Sequence, residues 1–198
     1  MFSCTPVKEK TREIAGRVGG ASVAEIHIYA FAGDGGGLPL TPNMGHGFIS
    51  VKNLSDHAFD IGGHEVREGE EISVGLWGQK ASWSVWFNLE VYYFEKSLYS
   101  KVVSVKRELK SQGDVQVLSD YVRNAGRWTF SYNCSAFAHR AWNTIAGEDA
   151  IKMTGRSTPR KLYREITRFK SYETERKIAN DRSPGFVKGG EFVYVTPK

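Results

Sequence analysis

The chain has 198 residues, is 40% hydrophobic and 13% aromatic, and carries 27 Lys/Arg against 22 Asp/Glu for a net charge of +5. That length and apolar content fit a single globular domain spanning 1–198, with a real core, and exclude a disordered or low-complexity chain. No apolar run approaches the roughly 20 residues of a membrane-spanning helix, so no integral membrane span is expected.

Residues 1–22 read as a loose arm or short helix. They mix Lys, Arg and Glu with Gly and contain no apolar stretch of the kind a Sec signal needs. A cytoplasmic protein, or one exported by an apparatus that reads no such signal, is the expectation. Ile26 to Phe31 alternates as a strand. Gly33 to Gly37, with Pro39 and Pro42 beyond, is a mobile loop; neither a Lys-Ser/Thr nor a helix follows, so it is not a phosphate cradle. His46 to Lys52 is a second strand, closed by the turn Asn53-Leu54-Ser55-Asp56. Short strands are expected near Ala58–Ile61 and Ile72–Val74, and a strong aromatic one from Trp86 to Phe94. After a strand near Val102–Val105 the pattern turns helical. Asp114 is placed to cap a helix with Val115, Leu118, Tyr121 and Val122 on its apolar face. Residues 134–146 form the next helix, with Phe137, Ala141, Trp142 and Ile145 on one stripe and Gly147 at its stop. Ser157-Thr158-Pro159 opens a third helix, buried through Leu162, Ile166 and Phe169. A hairpin around Gly189-Gly190 ends the chain. The sum is an α+β fold, an antiparallel sheet with helices packed on it.

Charge is uneven. Residues 150–198 hold twelve Lys/Arg against five Asp/Glu, so the remainder of the chain is slightly acidic. A basic surface of this kind attracts anionic partners or is simply solvated. No nucleic-acid motif accompanies it, and no nucleic-acid partner is expected. Of the two cysteines, Cys4 reads as an incidental thiol.

Cys134 falls in the first turn of an amphipathic helix. Free N–H groups and the positive end of the helix dipole stabilise a thiolate there, and the Cys134 amide is placed to receive a developing oxyanion. A buried structural thiol is the competing reading. His46 begins a strand between two glycines, where a thiol or substrate can approach its ring. A cysteine on a helix N-terminus facing a histidine on the adjoining sheet is the arrangement nucleophilic thiol chemistry requires.

The runs Gly45-His46-Gly47-Phe48-Ile49 and Asn133-Cys134-Ser135-Ala136-Phe137-Ala138 resemble those of the circularly permuted NlpC-like papain-fold enzymes, in which the histidine strand precedes the cysteine helix. The Asn-Cys-x-x-Phe run is similar to the lecithin:retinol acyltransferase branch of that superfamily. The resemblance spans about residues 26–146 in outline and is close only in these two motifs. It implies a papain-like α+β fold and a hydrolase or acyltransferase working through an acyl-enzyme on Cys134.

An imidazole base needs a third polar group to orient it. If Trp86–Phe94 is a strand, Asn88 and Glu90 share one face and either can hold His46; solvent is the alternative for that face. Asp60 and His64 are weaker candidates. A zinc site on His46, His57, His64 and Cys134 lacks any Cys-x-x-Cys or His-Glu-x-x-His spacing, so no metal or other cofactor is expected. The leading expectation is a thiol-dependent amidase or peptidase acting on a peptide or cell-wall substrate, a secreted bacterial effector with an immunity or target protein as partner. The alternatives are an acyltransferase or lipid hydrolase, with Trp77, Trp83 and Trp86 lining an apolar groove, and a non-enzymatic effector.

Overall fold

The computed structural model describes residues 21–33, 45–78, 84–96, 99 and 101–196. The expected N-terminal arm, Cys4, the glycine-rich loop and Trp83 lie outside them.

The architecture is α+β. Strands β1 (Ala24–Phe31), β2 (His46–Asn53), β5 (Glu71–Leu76), β6 (Val85–Phe87), β7 (Val102–Leu109), β8 (Glu173–Thr174), β9 (Gly185–Lys188) and β10 (Glu191–Tyr194) form one eight-stranded antiparallel sheet. Its order is β10-β9-β6-β5-β2-β1-β7-β8. The hairpin of β3 (Phe59–Ile61) and β4 (His64–Val66) stands apart as a two-stranded sheet. The helices are α1 (Leu89–Glu95), α2 (Gln112–Arg123), α3 (Cys134–Ile145) and α4 (Pro159–Ile166).

The centre is β2-β1-β7, where β1 pairs along its whole length with both neighbours. These strands are largely buried on both faces, apart from the Lys106 and Glu108 positions of β7. Ile26, Ile28, Ile49 and Val51 pack with Phe137, Trp142, Leu162 and Phe169 of the α3–α4 side. Tyr29, Phe31 and Phe48 pack with Trp86, Leu89, Tyr93 and Phe94 on the other. His46, at the head of β2, sits in the central layer rather than at an edge.

Two expectations are corrected. Trp86–Phe94 is not one strand: β6 ends at Phe87, Asn88 takes the left-handed conformation (φ 57°), and the chain continues as α1. The aromatic and β-branched density that suggested a strand reflects burial; Leu89, Glu90, Val91, Tyr93 and Phe94 are all buried in α1. The cap of α2 is Ser111, not Asp114. The Asp114 amide donates to Ser111 Oγ at 3.1 Å, and Ser111 Oγ donates back to Asp114 Oδ2 at 2.9 Å. Asp114 thus occupies the third helical position, its amide and its carboxylate both bonded to the capping hydroxyl.

A buried histidine away from the sheet centre makes the fold acid-sensitive. His64 is 1% exposed, lies 4.3 Å from the Phe192 ring and 5.0 Å from that of Phe87, and its Nε2 has no hydrogen-bond partner among the described residues. Burial first, then the charge of Arg182, pulls its pKa down to about 4, against the smaller opposing pull of Glu70 and Asp60. Unfolded, it would titrate near 6.5. The unfolded chain therefore binds more protons between pH 6.5 and about 4, and stability falls as pH drops through that window. Thermal unfolding followed from pH 7 to 4 is expected to show this loss, and His64→Leu is expected to lessen it. An equal acid loss in the variant would place the sensitivity elsewhere.

Candidate active site

The site is assembled where α3 begins, at the head of β2. Asn133 is the N-cap of α3, and its Oδ1 accepts the amides of Ser135 and Ala136, both at 3.1 Å. Its Nδ2 donates to Ser157 O at 2.8 Å and Phe130 O at 3.4 Å, which ties the helix start to the chain on either side. The cap takes two first-turn amides but not that of Cys134.

Close approach of α3 to β2 depends on Gly47. A Cβ there would come within 2.8 Å of Leu162 Cδ2, 3.1 Å of Ser135 Cα and 3.2 Å of Ser135 Oγ. With hydrogen in that place, Cys134 lies near enough to the His46 ring for each to shift the other's pKa, and the Gly47 backbone also favours the thiolate. Both side chains are buried.

His46 Nε2–H donates to Glu90 Oε1 at 3.0 Å, which leaves Nδ1 as the nitrogen free to meet the thiol. Glu90 is fully buried, and its carboxylate accepts two further hydrogen bonds, from Trp77 Nε1 at 2.8 Å and Ser73 Oγ at 2.7 Å. Three donors are what an isolated carboxylate needs to remain in the interior. Gly75 makes room for it: an added Cβ would lie 2.0 Å from Glu90 Oε1 and 3.1 Å from His46 Nε2.

Burial pushes the Cys134 thiol up, but the charge and hydrogen bond of His46 outweigh it, and the thiol is held below its usual range. Burial likewise works against protonated His46, and Cys134 and Glu90 together outweigh that and hold the imidazole well above its usual range. The two directions are consistent with each other: each group favours the charged form of its partner.

The structure thus brings together Cys134, His46 and Glu90. Asn88 does not join them: its Oδ1 accepts Ser73 N at 3.2 Å and its own amide donates to Ser73 O at 2.9 Å, so it fixes the residue that hydroxyl-bonds Glu90. The strand reading put Asn88 and Glu90 on one face; the turn at Asn88 sends only Glu90 to the imidazole. Asp60 lies in the β3–β4 hairpin, accepting from Ser119 Oγ and paired with Arg123. His57 is exposed beside Asp56 and Gln112, and His64 lies between aromatic rings. Among the described residues no three of His, Cys, Asp and Glu are grouped as metal ligands, and no helix is long and apolar enough to cross a membrane.

The sequence marks Trp77 only as a groove lining. Its indole N–H holds Glu90 Oε1 while its ring stands 4.2 Å from the His46 imidazole at 36°. One side chain therefore steadies the carboxylate and offers a π face to the imidazolium. A lone Trp after a strand carries no sequence signal for this role. Trp77→Phe keeps the ring and loses the N–H. A hydrogen bond to a charged group is worth about 1.5–3 kcal/mol, so Cys134 alkylation near pH 6 is expected to slow roughly tenfold with the fold intact. An unchanged rate would show that Glu90 holds His46 without the indole.

Compared with protein-family profiles, curated proteins and solved structures, the chain finds no match.

Proposed function

We propose that this protein is a cysteine hydrolase of papain-like type, in the permuted order with histidine before cysteine, acting as an amidase or peptidase. The observation that carries the reading is His46 standing between Cys134 and a buried, three-fold hydrogen-bonded Glu90. The Cys134 thiolate attacks the amide carbonyl carbon and forms a C–S bond, and the carbonyl electron pair moves to oxygen. The oxyanion lies toward the helix start, where the Cys134 amide is left free by the cap. Collapse expels the amine, protonated by His46, and leaves a thioester. His46 then deprotonates water for attack on the thioester, and the acid product departs with the thiolate restored. Glu90 holds the ring tautomer throughout.

Cell-wall peptides are the first substrate to test, with the protein acting as an exported bacterial effector met by an immunity or target protein. Wild type and Cys134→Ala, directed separately to the periplasm and cytoplasm of a test bacterium, are the experiment. Cys134-dependent lysis from the periplasm with cleaved stem peptides supports the amidase. Cys134-dependent toxicity with intact wall and altered lipid moves the reading to acyl transfer. Undiminished toxicity of a folded Cys134→Ala protein overturns the enzyme and leaves a binding effector.

A further inference from the structure

The segment that presents Cys134 is also where the protein's uncompensated positive charge lies. From residue 124 to 164 there are seven Lys/Arg and two carboxylates, Glu148 and Asp149. Asp149 is buried and its Oδ2 is taken by Arg107 at 2.6 Å. Elsewhere among the described residues arginines are paired, as Arg123 with Asp60, Arg176 with Glu71 and Arg182 with Glu70.

Two arginines in this segment lie over aromatic rings and have no carboxylate partner among the described residues. Arg140 lies over the Tyr132 ring with its Cζ 5.2 Å from the centroid, and Arg156 lies over Phe130 at 5.3 Å. Stacking on a ring fixes a guanidinium while leaving its in-plane N–H fork open, the geometry that takes a carboxylate bidentately. Both rings belong to the run Phe130-Ser131-Tyr132 that leads into the N-cap of α3. Asn133 bonds the carbonyls of both Phe130 and Ser157, so the run that carries the two rings and the stretch that carries Arg156 are fastened to the residue next to Cys134. Phe130 is itself 64% exposed.

We propose that Arg140 and Arg156 are specificity residues that select an acidic peptide, seating its carboxylates beside the bond Cys134 attacks, an inference that rests on Cys134 being the nucleophile. A peptide fits better than a lipid surface because Phe130 is the one large exposed apolar side chain described in this segment; the others, such as Leu54, Val117 and Tyr194, are scattered elsewhere. A membrane-binding face would carry several together.

The test uses the full-length protein, with alkylation read at the Cys134 peptide by mass spectrometry. Iodoacetate is compared with iodoacetamide, and the chloromethyl ketone of a Glu-containing tripeptide with its Gln counterpart. Wild type and the Arg140→Glu/Arg156→Glu protein are measured at low and at physiological salt. Both arginines are exposed, so the double variant is expected to fold. The anionic reagents are expected to slow about tenfold or more in the variant, the neutral ones to keep their rates, and added salt to shrink the difference. Anionic-to-neutral rate ratios that are the same in both proteins overturn the inference. Arginine-dependent sedimentation with phosphatidylglycerol vesicles, without any preference for the acidic peptide, also overturns it, in favour of a lipid surface. Iodoacetamide labelling of native Cys134 no faster than in the denatured chain removes the nucleophile itself, and both readings fall.

Discussion

On the proposed mechanism, replacing Cys134 with alanine is expected to lower turnover by roughly four or more orders of magnitude, since the sulfur that forms the acyl-enzyme is removed. The fold should persist, because alanine is a good helix former and little volume is lost at the start of α3. The companion result is on the thiol itself. Wild-type Cys134 is expected to react with iodoacetamide below pH 7, where an ordinary thiol of pKa about 8.5 is almost wholly protonated. The sign follows from the depressed thiol: the reactive thiolate is present above its lowered pKa and lost as pH falls through it. In His46→Ala the imidazolium is gone while burial still pushes the thiol up, so labelling near pH 6 should fall roughly 100-fold and recover only in alkali. Turnover adds an alkaline limb that labelling lacks. On the proposed mechanism His46 must be protonated to release the amine, and it loses that proton only above its ordinary range because its own pKa is raised. Labelling that rises alike with pH in both proteins would show a structural thiol.

Gly75→Ala is expected to do nearly as much damage without touching a reacting group. The new methyl would sit 2.0 Å from Glu90 Oε1 and 3.0 Å from Glu90 Cδ. That carboxylate is the far end of a side chain, but it is held by His46, Trp77 and Ser73. It can withdraw only by leaving buried charge with fewer donors, a change that costs about 3–5 kcal/mol when a buried ionic partner is lost outright. Denaturant unfolding should report a loss of that order at most, and Cys134 labelling near neutral pH should drop toward the His46→Ala rate. Gly113→Ala is the control. It lies in α2 with Ser111 Oγ 3.6 Å away as its nearest neighbour, and is expected to be neutral or to stabilise by up to about 1 kcal/mol. If Gly75→Ala behaves like Gly113→Ala, the carboxylate has room the contact distances deny.

Read alone, the sequence determined the parts whose cause is local. Alternation placed β1 and β2. The stripe Phe137, Ala141, Trp142 and Ile145 placed α3. Thr158-Pro159 opened α4, where Thr158 Oγ1 accepts the Lys161 amide. Cys134 at a helix start and His46 at a strand head could be named because dipole, cap and flanking glycine act over a few residues. What the tertiary structure alone decided was which distant groups meet. Glu90 rather than Asn88 reaches His46 because a single left-handed residue ends β6 and starts a helix. Propensity could not announce that turn, since a run buried on every side looks the same in a strand or a helix. The hydrogen side chains of Gly47 and Gly75 matter for the same reason. Each is a gap whose purpose appears only when α3 or Glu90, far away in the chain, is packed into it.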